Sequence, residues 1–194
     1  MKKIAHRGNY KTKCENKINC LLEVLNKDID GIEIDVRMTK DKKMVLSHNS
    51  FILKNNQIYC IEKTKYELIK LDLLDTFLSK MNNKIVLIDM KCLYDEKKYA
   101  NTIIKIIKKY PKLNIELSSF NYSLISYIKK RYPNYLCGLI IGYQINIKKD
   151  YNNFDFISIH ENLVSKYLYP HYIWGKNFKK IDSQCIGIIV DKKN

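Results

Sequence analysis

The sequence predicts an α/β chain folded as a compact (β/α)8 TIM barrel with a β-hairpin extension after strand 2. Short runs rich in Ile, Val and Leu recur along the 194 residues, each followed by a stretch with helical spacing. Alternation of this kind builds a parallel sheet covered by helices. The chain holds only 6 Gly and 3 Pro, too few for a many-turned all-β or low-complexity architecture. The runs number eight, the strand count of the closed barrel.

The strands are expected at residues 3–7, 31–38, 85–91, 115–120, 136–142, 154–160, 171–174 and 186–191, with helices over 16–25, 65–80, 95–109 and 122–131. The third of these helices shows the logic most clearly. Ile103, Ile104 and Ile107 share one face, and Pro111 lies just past its end. Barrels of this kind usually take about 250 residues, with a lower end near 200. The helical layer is therefore expected to be trimmed, and connections such as 143–153 are too short and polar for a full helix. No linker, repeat or low-complexity stretch interrupts residues 1–194, so one domain is expected.

One connection breaks the alternation. Residues 31–38 are followed by the turn-forming Lys40-Asp41-Lys42-Lys43 and then by Met44-Val45-Leu46-Ser47-His48. Two strands joined by so few residues must run antiparallel, because a parallel return needs a crossover. A turn centred between Asp41 and Lys42 sets Asp35 across from His48, and a one-residue slip would reverse the face.

Composition bounds the function classes. Lys and Arg number 35 against 20 Asp and Glu, a net charge of +15. Such a balance first suggests nucleic acid or a membrane surface. The basic residues are nearly all Lys, however, with Arg only at Arg7, Arg37 and Arg131, in a chain also rich in Asn, Ile and Tyr. That pattern equally fits compositional Lys on a solvated surface, steering an anionic ligand at most, and no aromatic-basic RNA-binding motif appears. No specific nucleic-acid partner is expected. The six cysteines lack metal-ligand spacing and read as reduced thiols. No apolar run approaches the length of a transmembrane helix, and no signal-peptide core follows the N-terminus, so a cytoplasmic location is expected.

Chemistry-bearing residues gather at the strand ends: His6 and Arg7, Glu33 and Asp35, His48, then Asp89 and Lys91. In barrels the C-terminal strand ends carry the active site. Glu33 and Asp35 stand i, i+2, so both carboxylates share one face of a strand. Two carboxylates in an apolar strand are costly without a positive partner. A hard divalent cation supplies one, Asp89 offers a third carboxylate, and an all-oxygen set favours Mg2+ or Ca2+ over Zn2+. Taken singly, Glu33 and Asp35 also fit an outward polar alternation balanced by Lys. Asp89 also fits a turn or cap residue, His6 a hydrogen-bonded core or rim histidine, and His48 a hairpin-end residue.

The ordered blocks Ile4-Ala-His6-Arg7-Gly8, Glu15-Asn16, Gly31-Ile-Glu33-Ile-Asp35-Val-Arg-Met-Thr-Lys-Asp41 and Val45-Leu-Ser-His48 resemble the glycerophosphodiester phosphodiesterase family. So do Ile88-Asp89-Met90-Lys91, Ser118-Ser119-Phe120, Tyr172-Ile-Trp174 and Gly187-Ile-Ile-Val-Asp191. The resemblance implies a metal site of Glu33, Asp35 and Asp89 and an acid/base pair of His6 and His48. It further implies phosphate contacts from Arg7 and Lys91, with Glu15 and Trp174 in support. The implied reaction is metal-dependent hydrolysis of a glycerophosphodiester, in which the glycerol 2-hydroxyl attacks and water opens the cyclic phosphate to glycerol 3-phosphate and an alcohol. Small glycerophosphodiesters are the default substrates, and lysophospholipids the option if an apolar rim adjoins the mouth.

The sequence departs from the family pattern in several places, among them the strand at Trp174, which continues as Gly175-Lys176-Asn177 with a clipped helix after it. The Pro and Thr around Glu15-Asn16 are missing, Asn49 stands for an Asp beside His48, and Asp89 stands for a Glu. Loss of the charge at position 49 is expected to lower the His48 pKa. Direct ligation by Asp89 remains compatible with the related sphingomyelinase D type of barrel. The insertion after His48 shrinks to about residues 50–64, leaving a shallow, open site. His160 and His171 read mainly as structural. Two further readings stay open: a sphingomyelinase D-like release of cyclic phosphate, and a catalytically weak barrel that binds phosphate ligands.

Overall fold

The structure, a computed structural model, describes residues 1–8, 14–142, 151–166 and 168–191. The elements run β1 (Lys2–His6), α1 (Ile18–Leu25), β2 (Gly31–Met38), β3 (Met44–Leu46), β4 (Phe51–Lys54) and β5 (Gln57–Cys60). They continue with α2 (Tyr66–Ile69), α3 (Leu74–Leu78), β6 (Ile85–Met90), α4 (Glu96–Ile107), β7 (Ile115–Ser119) and α5 (Tyr122–Arg131). The last are β8 (Leu136–Ile141), β9 (Phe156–His160), β10 (His171–Trp174) and β11 (Cys185–Val190), with short 3-10 turns at Ile61–Lys63 and Glu161–Lys166. Strands β1, β2, β6, β7, β8, β9, β10 and β11 pair in parallel, and β1 contacts both β2 and β11, which closes the barrel. Most of the connection expected to lack a helix, 143–150, lies outside the described residues. No helix among the described residues is long and apolar enough to cross a membrane.

Period-two alternation sorts each strand into an outer and an inner row. Ile32, Ile34 and Val36 of β2 and Val86, Ile88 and Met90 of β6 face the helices and join the main core with Leu21, Ile103 and Ile125. Each such side chain contributes about 1.5–3 kcal/mol relative to exposure. The inner row forms a second cluster of Ile4, Ile85, Leu87, Phe156, Tyr172 and Ile189. Near the N-terminal end Tyr172 Oη donates to Glu116 (2.9 Å), whose other oxygen lies 3.7 Å from Lys2 Nζ. The Phe156 ring fills the space over Gly138, where a Cβ would come within 2.1 Å of it. The lower barrel is thus packed, and the C-terminal end keeps the polar residues.

Three expectations need correction. The β2–β3 register pairs Val36 with Leu46 and Met38 with Met44, and Ser47 N donates to Asp35 O, so Asp35 faces Ser47 rather than His48. The turn accounts for this one-residue slip. Thr39 and Lys43 exchange backbone and hydroxyl hydrogen bonds around a three-residue loop with Lys42 in the left-handed region (φ 64°). Such a loop is a standard hairpin connection.

The helix expected over 65–80 is two short helices, because Lys70 turns left-handed (φ 48°). Beyond it Leu73 bridges to Val45, and the Asp72 carboxylate accepts from Ile18 N at the start of α1 (2.9 Å). Tertiary capping of another helix outweighs the local helical spacing there. Finally, Cys14 and Cys20, expected as separate thiols, are joined in a disulfide, while Cys60, Cys92, Cys137 and Cys185 are free.

Candidate active site at the barrel mouth

Parallel register lines up the polar inner positions. His6 stands beside Glu33, Asp35 beside Asp89, and Asp89 beside Ser118. Their side chains meet at a cavity of about 220 Å³ lined by His6, Arg7, Glu33, His48, Asp89 and Lys91. Phe120 and Trp174 form its aromatic wall and meet edge to face at 6.3 Å, and Trp174 Nε1 donates to Ser158 O. Seven of the sequence-predicted residues therefore converge on one cavity. Asp35 lies fully buried beneath it, and Glu15 stands behind Arg7.

Asp35 organises the floor. Its carboxylate pairs with Arg7 Nε (2.8 Å) and Lys91 Nζ (3.2 Å) and accepts from Asn16 Nδ2 (2.9 Å). Asn16 reaches it from a left-handed backbone (φ 56°) and also accepts from Asp35 N through its own side-chain oxygen. Burial pushes the Asp35 pKa up, but Lys91, Arg7 and His48, with the Asn16 hydrogen bond, outweigh it and hold the group below the usual range.

The other two carboxylates are less compensated. Burial first, then Asp35 and Asp89, raise Glu33 well above its ordinary value. Asp89 is raised to about 6 by burial and by Asp35, against the pull of Lys91, whose ammonium binds its other oxygen at 2.5 Å. Asp89 Oδ1 is buried and meets no hydrogen-bond donor among the described residues. One oxygen from each of Glu33, Asp35 and Asp89 falls within 4.8 Å of the others. Three converging buried oxygens, two of them costly to ionise and one unsatisfied, fit a hard divalent cation.

The two imidazoles sit differently. His6 Nδ1 lies 2.8 Å from Asp191 Oδ1, and its Nε2 lies 3.8 Å from Glu33. A carboxylate only accepts, so Nδ1 carries the proton in the neutral ring and Nε2 offers its lone pair. Burial, then Arg7, lowers the His6 pKa against the opposing pull of Asp191. His48 is lowered by burial, with Arg7 and Lys91 assisting, and its Nδ1 meets Asn49 Oδ1 at 3.0 Å. The downward direction at His48 therefore comes from burial, while Asp35 and the Asn49 hydrogen bond pull the other way.

Arg37 reinforces His48 from below. Its Nε and Nη2 both donate to the His48 carbonyl (3.0 and 2.6 Å), and Glu62 holds the same guanidinium.

Glu15 pairs with Arg7 Nη1 at 3.3 Å and does not join the three carboxylates. His160 packs edge-on against Trp174 at 4.6 Å, and His171 opens β10 at the far end with Nδ1 on Tyr169 O, so both serve structure. Sequence reasoning missed Asn16, Arg37 and Asp191 as site partners. All three stood inside the family-like blocks without a role. Arg37 gave a weaker signal, a lone Arg in a Lys-rich chain placed two residues after Asp35.

Residues 6–72 match the sequence profile of the Glycerophosphoryl diester phosphodiesterase family. A curated glycerophosphodiester phosphodiesterase from Caldanaerobacter subterraneus subsp. tengcongensis is 27% identical over 174 residues, 76% of this chain and 72% of that protein. A glycerophosphodiester phosphodiesterase structure from Parabacteroides distasonis superposes with a TM-score of 0.79 at 18% identity, covering 98% of this chain and 92% of that one. Over residues 6–72 the chain thus carries the sequence profile of the glycerophosphoryl diester phosphodiesterase family, and along nearly its whole length it has the fold of the matched barrel. Another family-like barrel, an Oleispira antarctica phosphodiesterase in complex with the product sn-glycerol-3-phosphate, has a TM-score of 0.79 at 19% identity, covering 91% of this chain and 85% of that one. The profile match spans the blocks that hold His6, Arg7, Glu15, Asn16, Glu33, Asp35 and His48.

Proposed function

We propose that the chain is a metal-dependent glycerophosphodiester phosphodiesterase that releases glycerol 3-phosphate and an alcohol. The observation that carries this reading is the convergence of two imidazoles and two cations on one cavity above three buried carboxylates. Mg2+ or Ca2+ held by Glu33, Asp35 and Asp89 would neutralise charge on the phosphodiester.

Arg7 and Lys91 border the same cavity and place fixed positive charge where a phosphate oxygen gains negative charge. His6 takes the proton of the attacking hydroxyl at Nε2, because Asp191 fixes the tautomer and stabilises the imidazolium that forms. His48 stands at the more open side against a neutral amide, and in this reading it donates a proton to the leaving alkoxide. The roles reverse when water opens the cyclic phosphate. The shallow aromatic wall of Phe120 and Trp174 suits the carbon skeleton of a small diester.

The test is turnover of glycerophosphocholine, followed by phosphorus NMR and by enzymatic detection of glycerol 3-phosphate. Turnover that stops with a chelator and returns with Mg2+ or Ca2+ is expected. A cyclic phosphate as the sole product would replace this reading with the sphingomyelinase D-like one, and ligand binding without turnover would leave only the phosphate-binding barrel.

A second expectation follows from the raised carboxylates. A carboxyl whose folded pKa lies above its unfolded value favours the fold below the unfolded pKa and loses that contribution as pH rises through the folded value. For Asp89 that window runs from about 4 to about 6. Metal displaces the proton, so its binding weakens as pH falls through the same window. The rise in Tm on adding Ca2+ or Mg2+ should be larger at about pH 7.5 than at about pH 5. Scanning calorimetry showing equal or reversed shifts would count against the assigned ligand set.

A further inference from the structure

The reduced insertion is an amphipathic ribbon. In the β4–β5 hairpin Leu53 lies opposite Ile58 and Phe51 opposite Cys60, so these four share one face. The other face carries Ile52 and Tyr59, which pack on Val45, Ile61 and Ile69. The first face is open: Phe51 is 59% exposed, Leu53 71% and Ile58 70%. A two-residue Asn55-Asn56 turn, both residues left-handed, holds the ribbon in this register. Keeping large apolar side chains on the solvent side of a short ribbon has no packing benefit and invites association.

The same end of the barrel exposes more apolar surface. Leu93 and Tyr94 follow the C-terminal end of β6, and Phe120 follows β7 and lines the cavity itself. Lys63, just after the hairpin, sets its ammonium 5.9 Å from the Tyr94 ring centroid, joining the two segments. Leu68 of α2 is also exposed, and its carbonyl accepts from Lys54 Nζ of the hairpin, whereas Met1, Leu136, Leu168 and Ile181, the remaining large exposed apolar residues among those described, lie singly on separate segments. Around the hairpin the charge is one-sided. Lys54, Lys63 and Lys65 stand along it and its following turn, whereas Glu62 is taken up by Arg37 and Glu67 by Lys70.

We propose that the Phe51/Leu53/Ile58 face docks on an anionic phospholipid surface, bringing the cavity mouth to it. Aliphatic and aromatic side chains entering the headgroup boundary, flanked by lysines that meet lipid phosphates, are the two contributions that hold a protein reversibly at such a surface. Phe51 is three residues from His48, so docking places the mouth beside the lipid headgroups.

The experiment is co-sedimentation of the full chain with vesicles of phosphatidylcholine alone and of phosphatidylcholine mixed with phosphatidylglycerol. Binding to the mixed vesicles is expected, weakened by salt and reduced about tenfold or more in the Leu53→Glu/Ile58→Glu double variant. Both positions are exposed, so circular dichroism and turnover of soluble glycerophosphocholine should match the unsubstituted chain. Equal binding by chain and variant, or no binding to the mixed vesicles, overturns the proposal. Light scattering that finds a dimer dispersed by the same substitutions also overturns it, assigning the face to a second copy. Vesicle binding together with absent turnover of glycerophosphocholine would overturn the diesterase reading while leaving the docking surface in place.

Discussion

His6→Ala is expected to lower kcat on glycerophosphocholine by about 10²–10⁴-fold, the range for loss of one positioned acid or base. The ring is poised by opposing influences. Burial and Arg7 favour its neutral form, while Asp191 holds Nδ1–H and favours the charged form that appears after proton transfer. Because the net shift is downward, the basic form predominates at neutral pH and the acidic limb of kcat/KM should fall below the free-imidazole value of about 6.5. Asp191→Asn removes an influence that raises the pKa, so it should move that limb to still lower pH while reducing kcat. A purely structural Asp191 would lower the amount of folded protein and leave the profile in place. His48→Ala should be comparably damaging and should be relieved in part by diesters with an acidic leaving alcohol, which need no protonation. His6→Ala should show no such relief. Retention of more than about a tenth of the activity in His6→Ala would remove this histidine from the reaction.

The parts of this site that sequence alone made legible are those fixed by local geometry. Glu33 and Asp35 stand two apart, and a strand places them on one face whatever surrounds it; the structure puts both inside the barrel. The hairpin after β2 was equally legible, because so short a connection permits only an antiparallel return. Its register was not, since the slip from His48 to Ser47 opposite Asp35 depends on Lys42 entering the left-handed region. The division of 65–80 into two helices was hidden for a different reason. Its cause, Asp72 reaching Ile18 N, lies 54 residues away in the chain. Asp191 shows the same limit most sharply, as it meets His6 across a separation of 185 residues and only through the closing pair of strands. Local pattern identifies which groups an inner row offers, whereas barrel closure decides which of them become partners.

The sharpest separation of metal-holding from fold-holding carboxylates comes from two isosteric changes, Asp35→Asn and Glu33→Gln. Both remove a proposed ligand charge, so both should abolish the metal-induced rise in Tm and reduce turnover to background. Their effects on the metal-free fold should differ. Asp35 is fully buried and balances Arg7 and Lys91, which are themselves largely buried. Breaking such a pair from one side leaves uncompensated buried charge and costs about 3–5 kcal/mol. Asp35→Asn should therefore lower the urea midpoint markedly in the metal-free protein. Glu33 is in the opposite position. Burial and its acidic neighbours already disfavour its charge, as its raised pKa records. Substituting the neutral amide relieves that repulsion, so metal-free Glu33→Gln should be as stable as the unsubstituted chain at neutral pH, or more so. Equal destabilisation by both changes would mean that the trio acts as a structural ion network. Stability in Glu33→Gln together with lost metal response would assign Asp35 both tasks and Glu33 the metal alone, since Asp35 has Arg7 and Lys91 within ion-pair distance on two sides.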